Sequence, residues 1–145
     1  PTGGPDDGLA AGLTRCRERL DRGIPRSIDS MQDDCVFCNI IAGTEPSEGV
    51  YSDDMVYAFR DIRPIAPTHV LVIPRKHIPR IVDAGGNDAE VMARLFHAAH
   101  EVAKNEGLAE NGYRCVINCG HHGLQTIYHL HLHVIGGRSM EWPPG

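Results

Sequence analysis

Residues 129–135 read His-Leu-His-Leu-His-Val-Ile. Imidazole and apolar side chains alternate there with a period of two, the pattern of a half-buried strand. The spacing predicts His129, His131 and His133 on one face and Leu130, Leu132 and Val134 in the core. Same-face neighbours on a strand stand roughly 6.6 Å apart at ~3.3 Å rise per residue. Three imidazoles at that spacing can surround a phosphate or a metal ion. Mutual repulsion disfavours their all being protonated, so they are expected to be mostly neutral near pH 7. A neutral imidazole offers one nitrogen lone pair, which a nucleophile or a metal ligand requires. A solvated polar face, a three-histidine metal site and phosphate chemistry all fit the bare strand.

The elements that must hold this strand follow from the rest of the chain. Asp33 or Asp34 is placed to cap a short helix over Phe37 to Ala42, which Gly43 ends. Val50-Tyr51 and Met55 to Arg60 read as a hairpin around Asp53-Asp54. Val70 to Ile73 is a short apolar strand closed by Pro74. Asn87 with Glu90 reads as a capping box. It opens a long helix with Val91, Leu95, Ala98 and Val102 on one stripe, stopped by Gly107. Tyr113 to Asn118 is a further strand, followed by the His121-His122-Gly123 loop. About five short strands with one long and one short helix, and no regular βαβ alternation, predict an α+β fold on an antiparallel sheet.

A chain of 145 residues suits one hydrophobic core. A net charge of −5 argues against wrapping a nucleic acid, so an anionic ligand needs local donors. No apolar run approaches the ~20 residues of a membrane span. The five cysteines, at 16, 35, 38, 115 and 119, are odd in number and irregularly spaced, which favours a reducing compartment. The expectation is a cytoplasmic protein with no nucleic-acid or membrane partner. Residues 1–30 differ in kind and read as an extension. Pro1 to Gly8 is rich in Gly, Pro and Asp, and Leu9 to Asp21 is compatible with a short helix. Arg15, Arg17, Arg19, Arg22 and Arg26 lend it the basic character of a transit peptide, which Asp6, Asp7, Glu18 and Asp21 oppose. The compact domain is expected over residues 31–145, with Met31 as a candidate internal start.

Context narrows the chemistry. The triad is preceded by Gly123-Leu-Gln-Thr126 and followed by Gly136-Gly137-Arg138, and the chain closes on Trp142-Pro-Pro-Gly145. Upstream lie Phe59-Arg-Asp-Ile-Arg-Pro-Ile-Ala-Pro-Thr-His69 and Val72-Ile-Pro-Arg-Lys-His77. With these motifs together, about residues 33 to 145 resemble the histidine triad family, in particular its Hint branch of purine nucleoside phosphoramidases. Gly136-Gly137 and the abrupt ending oppose the dinucleotide-hydrolase branch. The resemblance implies a HIT-like fold, a homodimer that joins two sheets, and hydrolysis of purine nucleoside 5′-phosphoramidates or acyl-adenylates through a nucleotidyl-histidine. A dinucleoside polyphosphate hydrolase and a nucleotide-binding interaction module with vestigial catalysis are the alternatives; an intact triad favours the enzyme.

Roles for residues follow from the same resemblance. It implies His131 as the nucleophile, its other ring nitrogen donating to a backbone carbonyl, with His133 and Thr126 as donors to the phosphoryl oxygens. The family usually has serine where Thr126 stands. Gln125 would steady the loop, Asp61 would accept the ribose hydroxyls, Phe37, Phe59 and Ile62 would line the base pocket, and Asn118 would reach the ribose and phosphate region. Trp142 would reach the partner's pocket across the dimer. Unaided, Asp61 reads as a turn residue before Pro64, and the two phenylalanines as core. His69 carries no role derivable from the sequence and reads as a buried structural histidine.

Cys35-Val-Phe-Cys38 is a separate signal, compatible by itself with redox chemistry, a metal, or two buried thiols. Resemblance to microbial-type relatives implies Cys35, Cys38, His77 and His129 as ligands of a structural zinc, a closed tetrahedral set, with no organic cofactor. His97 and His100 read as a solvated helix face. His121 and His122 either add charge beside the phosphate or face water. Leu124 stands where the resemblance has glycine, and Cys16, Cys115 and Cys119 read as ordinary thiols.

Overall fold

A computed structural model describes residues 34–145. The expected extension, its helix, Cys16, Met31 and Asp33 lie outside the described residues. Chain order is α1 (Val36–Ala42), β1 (Gly49–Ser52), β2 (Val56–Arg60), β3 (Thr68–Pro74), α2 (Ala89–Asn105), β4 (Tyr113–Val116) and β5 (Leu132–Gly136). The five strands form one sheet in the order β1-β2-β3-β5-β4, with every neighbouring pair antiparallel. The fold is the α+β class that the element pattern predicts.

Period-two alternation splits the sheet into two chemically different faces. Val56, Ala58, Val70, Val72, Leu132 and Val134 join Leu95, Ala98 and Val102 of α2 in the main core. The intervening residues Phe59, Leu71 and Ile73 pack with Phe37 of α1 in a second, smaller cluster. β3 is central and buried along its whole length, because a helix covers each face. The histidines at 69, 131 and 133 share the α1 side by the same alternation.

Three local expectations change. Cys35, which makes no side-chain capping hydrogen bond, is the N-cap of α1, so Asp34 does not cap it. The capping interaction before α2 falls on Asp88, whose Oδ2 accepts the Gly85 N–H at 2.9 Å while Oδ1 takes Lys76 Nζ at 2.6 Å. A 3₁₀ turn over Gly86–Asp88 therefore precedes the helix, and Asn87 and Glu90 form no box. The β5 ladder begins at Leu132, so His129 and His131 lie on its lead-in. The last rung to β3 is Val72–Leu132. Continuing the register would set Leu130 against Pro74, which has no N–H to give. The Pro74 carbonyl takes the His129 ring N–H at 2.8 Å, and the Leu130 N–H donates to the Ile78 carbonyl at 2.6 Å.

Leu95 is fully buried at the centre of the α2 stripe, whereas His97 is exposed. Leu95→Ala should cost about 3 kcal/mol in urea unfolding through the cavity it leaves, and His97→Ala less than about 0.5 kcal/mol. Equal effects would contradict the assigned core face.

Candidate active site and metal cluster

Burial removes the solvation that a charged imidazole needs, and each buried ring then carries one N–H and one lone pair. Which nitrogen carries which is set by its partner. His129 is fully buried, and burial holds it down to about 4. Its Nε2 lies 2.8 Å from the Pro74 carbonyl, which can only accept, so Nε2 carries the hydrogen and Nδ1 the lone pair. His131 Nδ1 donates to the His129 carbonyl at 2.7 Å, leaving the lone pair on Nε2. Desolvation again lowers its pKa, opposed by that hydrogen bond and by Asp61.

A second chain of partners fixes His133. The Ile65 N–H donates to His69 Nδ1 at 3.3 Å, so His69 carries its hydrogen on Nε2. That nitrogen lies 2.9 Å from His133 Nδ1 and donates to it. The hydrogen of neutral His133 is therefore on Nε2, the one buried side-chain polar atom without a partner among the described residues. Burial, then the neighbouring His131 and His69, push His133 down to about 4. The His131 and His133 ring centroids are 4.9 Å apart. The face thus offers a lone pair on His131 and an unused donor on His133, side by side. A phosphoryl group, electrophilic at phosphorus and an acceptor at oxygen, matches both.

His69 was legible only as a buried histidine. Its partner is 64 residues away in sequence, and the rungs His69–Ile135 and Leu71–His133 bring the pair together diagonally. Asp61 closes the group, with Oδ2 at 3.5 Å from His69 Nε2 and Oδ1 accepting the Arg63 N–H at 2.8 Å. Ile62 beside it is 90% exposed, while Phe37 and Phe59 are buried against each other edge to face at 5.5 Å. Asn118 is half-buried two residues past the Val116–His133 rung. Thr126 is exposed on the loop between β4 and β5. Gln125 is buried and ties that loop: its amide donates to the Pro79 and Ile127 carbonyls, and its Oε1 accepts the Gly120 N–H. His121, His122 and Leu124 are exposed, Leu124 in a left-handed conformation at φ 56° that favours the glycine it replaces. His97 and His100 are exposed on α2.

Cys35, Cys38, His77 and His129 converge from α1, the loop after β3 and the lead-in to β5, their ligand atoms all within 4.8 Å of one another. His77 Nδ1 is 3.2 Å from His129 Nδ1 and 3.3 Å from Cys38 Sγ, and His129 Nδ1 is 3.5 Å from Cys35 Sγ. Corners of a zinc tetrahedron stand about 3.3 to 3.8 Å apart at ordinary Zn–S and Zn–N bond lengths. The separations fit, and His129 presents the lone pair of its ring to the centre. Burial, then the adjacent Cys35, push the Cys38 thiol up to about 11. Zinc held by these four residues would supply the positive charge that offsets this burial. The four residues fit a closed structural zinc site.

Residues 42–140 match the HIT domain family. The chain is 44% identical to the purine nucleoside phosphoramidase of Escherichia coli K12 over 110 residues, which cover 76% of this chain and 92% of that protein. It is 48% identical over 114 residues to a 14 kDa zinc-binding protein of Brassica juncea, covering 77% of this chain and all of the other. The crystal structure of a HIT family hydrolase from Legionella pneumophila superposes with a TM-score of 0.76 at 50% identity, over 77% of this chain and 100% of that one.

Long-range ¹H–¹⁵N NMR should show His133 as the Nε2–H tautomer, neutral from pH 7 down to about pH 5. A protonation midpoint near that of a free imidazole, or an Nδ1–H tautomer, would contradict the relay through His69.

Proposed function

The chain belongs to the HIT domain family and is a hydrolase, and from that premise we propose that it cleaves purine nucleoside 5′-phosphoramidates or acyl-adenylates through a nucleotidyl-histidine on His131. The observation that carries this reading is the pairing of a buried, correctly faced lone pair with an unused N–H on the next same-face histidine. His131 Nε2 attacks phosphorus, and the P–N bond breaks as the departing nitrogen takes a proton from solvent. The new P–N(imidazole) bond spreads positive charge onto Nδ1–H, where the His129 carbonyl lies 2.7 Å away and holds it. His133 Nε2–H and the Thr126 hydroxyl donate to the phosphoryl oxygens. Water then attacks phosphorus, releasing the nucleotide and returning His131 to its neutral form.

Recognition follows the same layout. Asp61 keeps Oδ2 facing His69 and is free to accept ribose hydroxyls there. Phe37 and Phe59 back the base pocket, with Ile62 at its rim and Asn118 beside the ribose and phosphate. Gln125 acts through the shape of its loop. The HIT domain is assigned to residues 31–145. Among the described residues no helix is long and apolar enough to cross a membrane.

The working unit in this reading is a homodimer. β4 is an edge strand with no strand beside its outer N–H and C=O groups among the described residues, a template for a second copy. Arg114 on that strand donates to the Glu141 carbonyl at 2.6 Å, anchoring the tail just before Trp142, which is 84% exposed. An exposed tryptophan on an anchored tail suits insertion beside a partner's nucleotide.

His131→Ala should lower kcat by at least about a thousandfold and leave AMP affinity within about tenfold. Asp61→Ala should raise KM about tenfold or more through the lost charged hydrogen bonds. Wild-type turnover in the His131 variant would end the covalent reading. Light scattering should return twice the chain mass, and Trp142→Ala should stay dimeric but alter relative rates on amines of different size. A monomer, or an unchanged substrate profile, would count against the joined-sheet assembly.

A further inference from the structure

His129 belongs to two sites at once. Its ring Nδ1 faces Cys35, Cys38 and His77, while its carbonyl accepts the Nδ1–H of His131 at 2.7 Å. A second contact runs in parallel. Phe37 lies between the two cysteines in sequence, and its ring stands edge-on to His129 at 5.8 Å and to His131 at 5.4 Å. The helix carrying Phe37 is seven residues long and lacks a side-chain cap. A helix so short has little stability of its own, so its placement depends on contacts outside it: Phe37 packed on Phe59, Leu71 and Ile73, and Cys35 and Cys38 beside His77 and His129. Two of the groups that hold the His131 ring, a carbonyl and an aromatic edge, therefore belong to residues tied to the four-residue cluster.

We propose that the Cys35–Cys38–His77–His129 cluster, loaded with zinc, is the positioning device of the His131 ring, so that zinc occupancy sets how well the nucleophile is held. Cys35, Cys38 and His77 are positioning residues acting through His129 and Phe37. The proposal rests on the reading of His131 as nucleophile. It makes the metal more than a staple of the fold, since a chain that keeps its sheet without zinc would still lose the alignment of one ring. It is also reciprocal: whatever is held at His131 must hold the zinc more firmly.

The test uses the full zinc-loaded chain, with one zinc per chain confirmed by elemental analysis and AMP binding confirmed by calorimetry. In equilibrium competition with a chelator, zinc should be held about fivefold more tightly when AMP is bound. In the zinc-free protein, or in Cys38→Ser where circular dichroism shows the sheet intact, the ¹⁵N signals of His131 should change from a pure Nδ1–H tautomer to a mixture. There kcat should fall about tenfold or more, AMP should bind about fivefold more weakly, and the zinc-free wild type should recover on both counts when zinc is restored. Zinc affinity indifferent to bound AMP overturns the proposal without any variant. So does a folded zinc-free protein with an unchanged His131 signal. Chelator competition and the tautomer need no turnover, so their failure is distinct from failure of the nucleophile assignment, which His131→Ala addresses.

Discussion

The chemistry of this protein turns on where each buried imidazole keeps its single hydrogen. Desolvation makes His69, His129, His131 and His133 neutral, with His129 and His133 held to about 4. Neutrality alone leaves two tautomers per ring, of nearly equal energy in water. The backbone removes the choice. The Pro74 carbonyl sets His129, the His129 carbonyl sets His131, and the Ile65 N–H sets His69, which in turn sets His133. Three backbone groups thus orient four rings. Those groups are themselves placed by the β3–β5 register and the loops around it, so the sheet fixes a proton inventory as well as a shape.

That arrangement also explains how an acidic chain can address a phosphate. At a net charge of −5 there is no general attraction for an anion. In the proposed reading the site answers with a neutral nucleophile, which carries no negative charge for the phosphate oxygens to repel, and with N–H and hydroxyl donors. Such donors act in a partly dry site, where a hydrogen bond to developing charge is stronger than in water.

Much of this was legible from residue order. The alternation at 129–134 placed the leucines and Val134 in the core and the histidines opposite, because period two survives whether or not a ladder bond is made. The ladder itself stops at Leu132, since Pro74 on the facing strand has no N–H; that interruption depends on register, which one sequence does not display. His69 was visible as a buried histidine but not as the partner of His133, whose contact spans two rungs and 64 residues. The turn before α2 is closed by Asp88, whose carboxylate accepts the Gly85 N–H and is also held by Lys76 from a distant loop, a partner that local sequence does not display. The pairing of Cys35 and Cys38 with two remote histidines came from family likeness and not from the spacing of a lone CxxC. Ile62 shows the opposite limit: its apolar type suggests a buried pocket wall, and it is 90% exposed.

The proposed mechanism binds the nucleotide covalently to a histidine of this face. The most direct measurement is intact-mass and peptide mass spectrometry after rapid base quenching of the protein mixed with adenosine 5′-phosphoramidate. A transient adenylyl group is expected on the peptide containing residues 129–133, located on His131 and absent from His131→Ala. Complete turnover with no adduct at any quench time, or an adduct on a different residue, would contradict the mechanism.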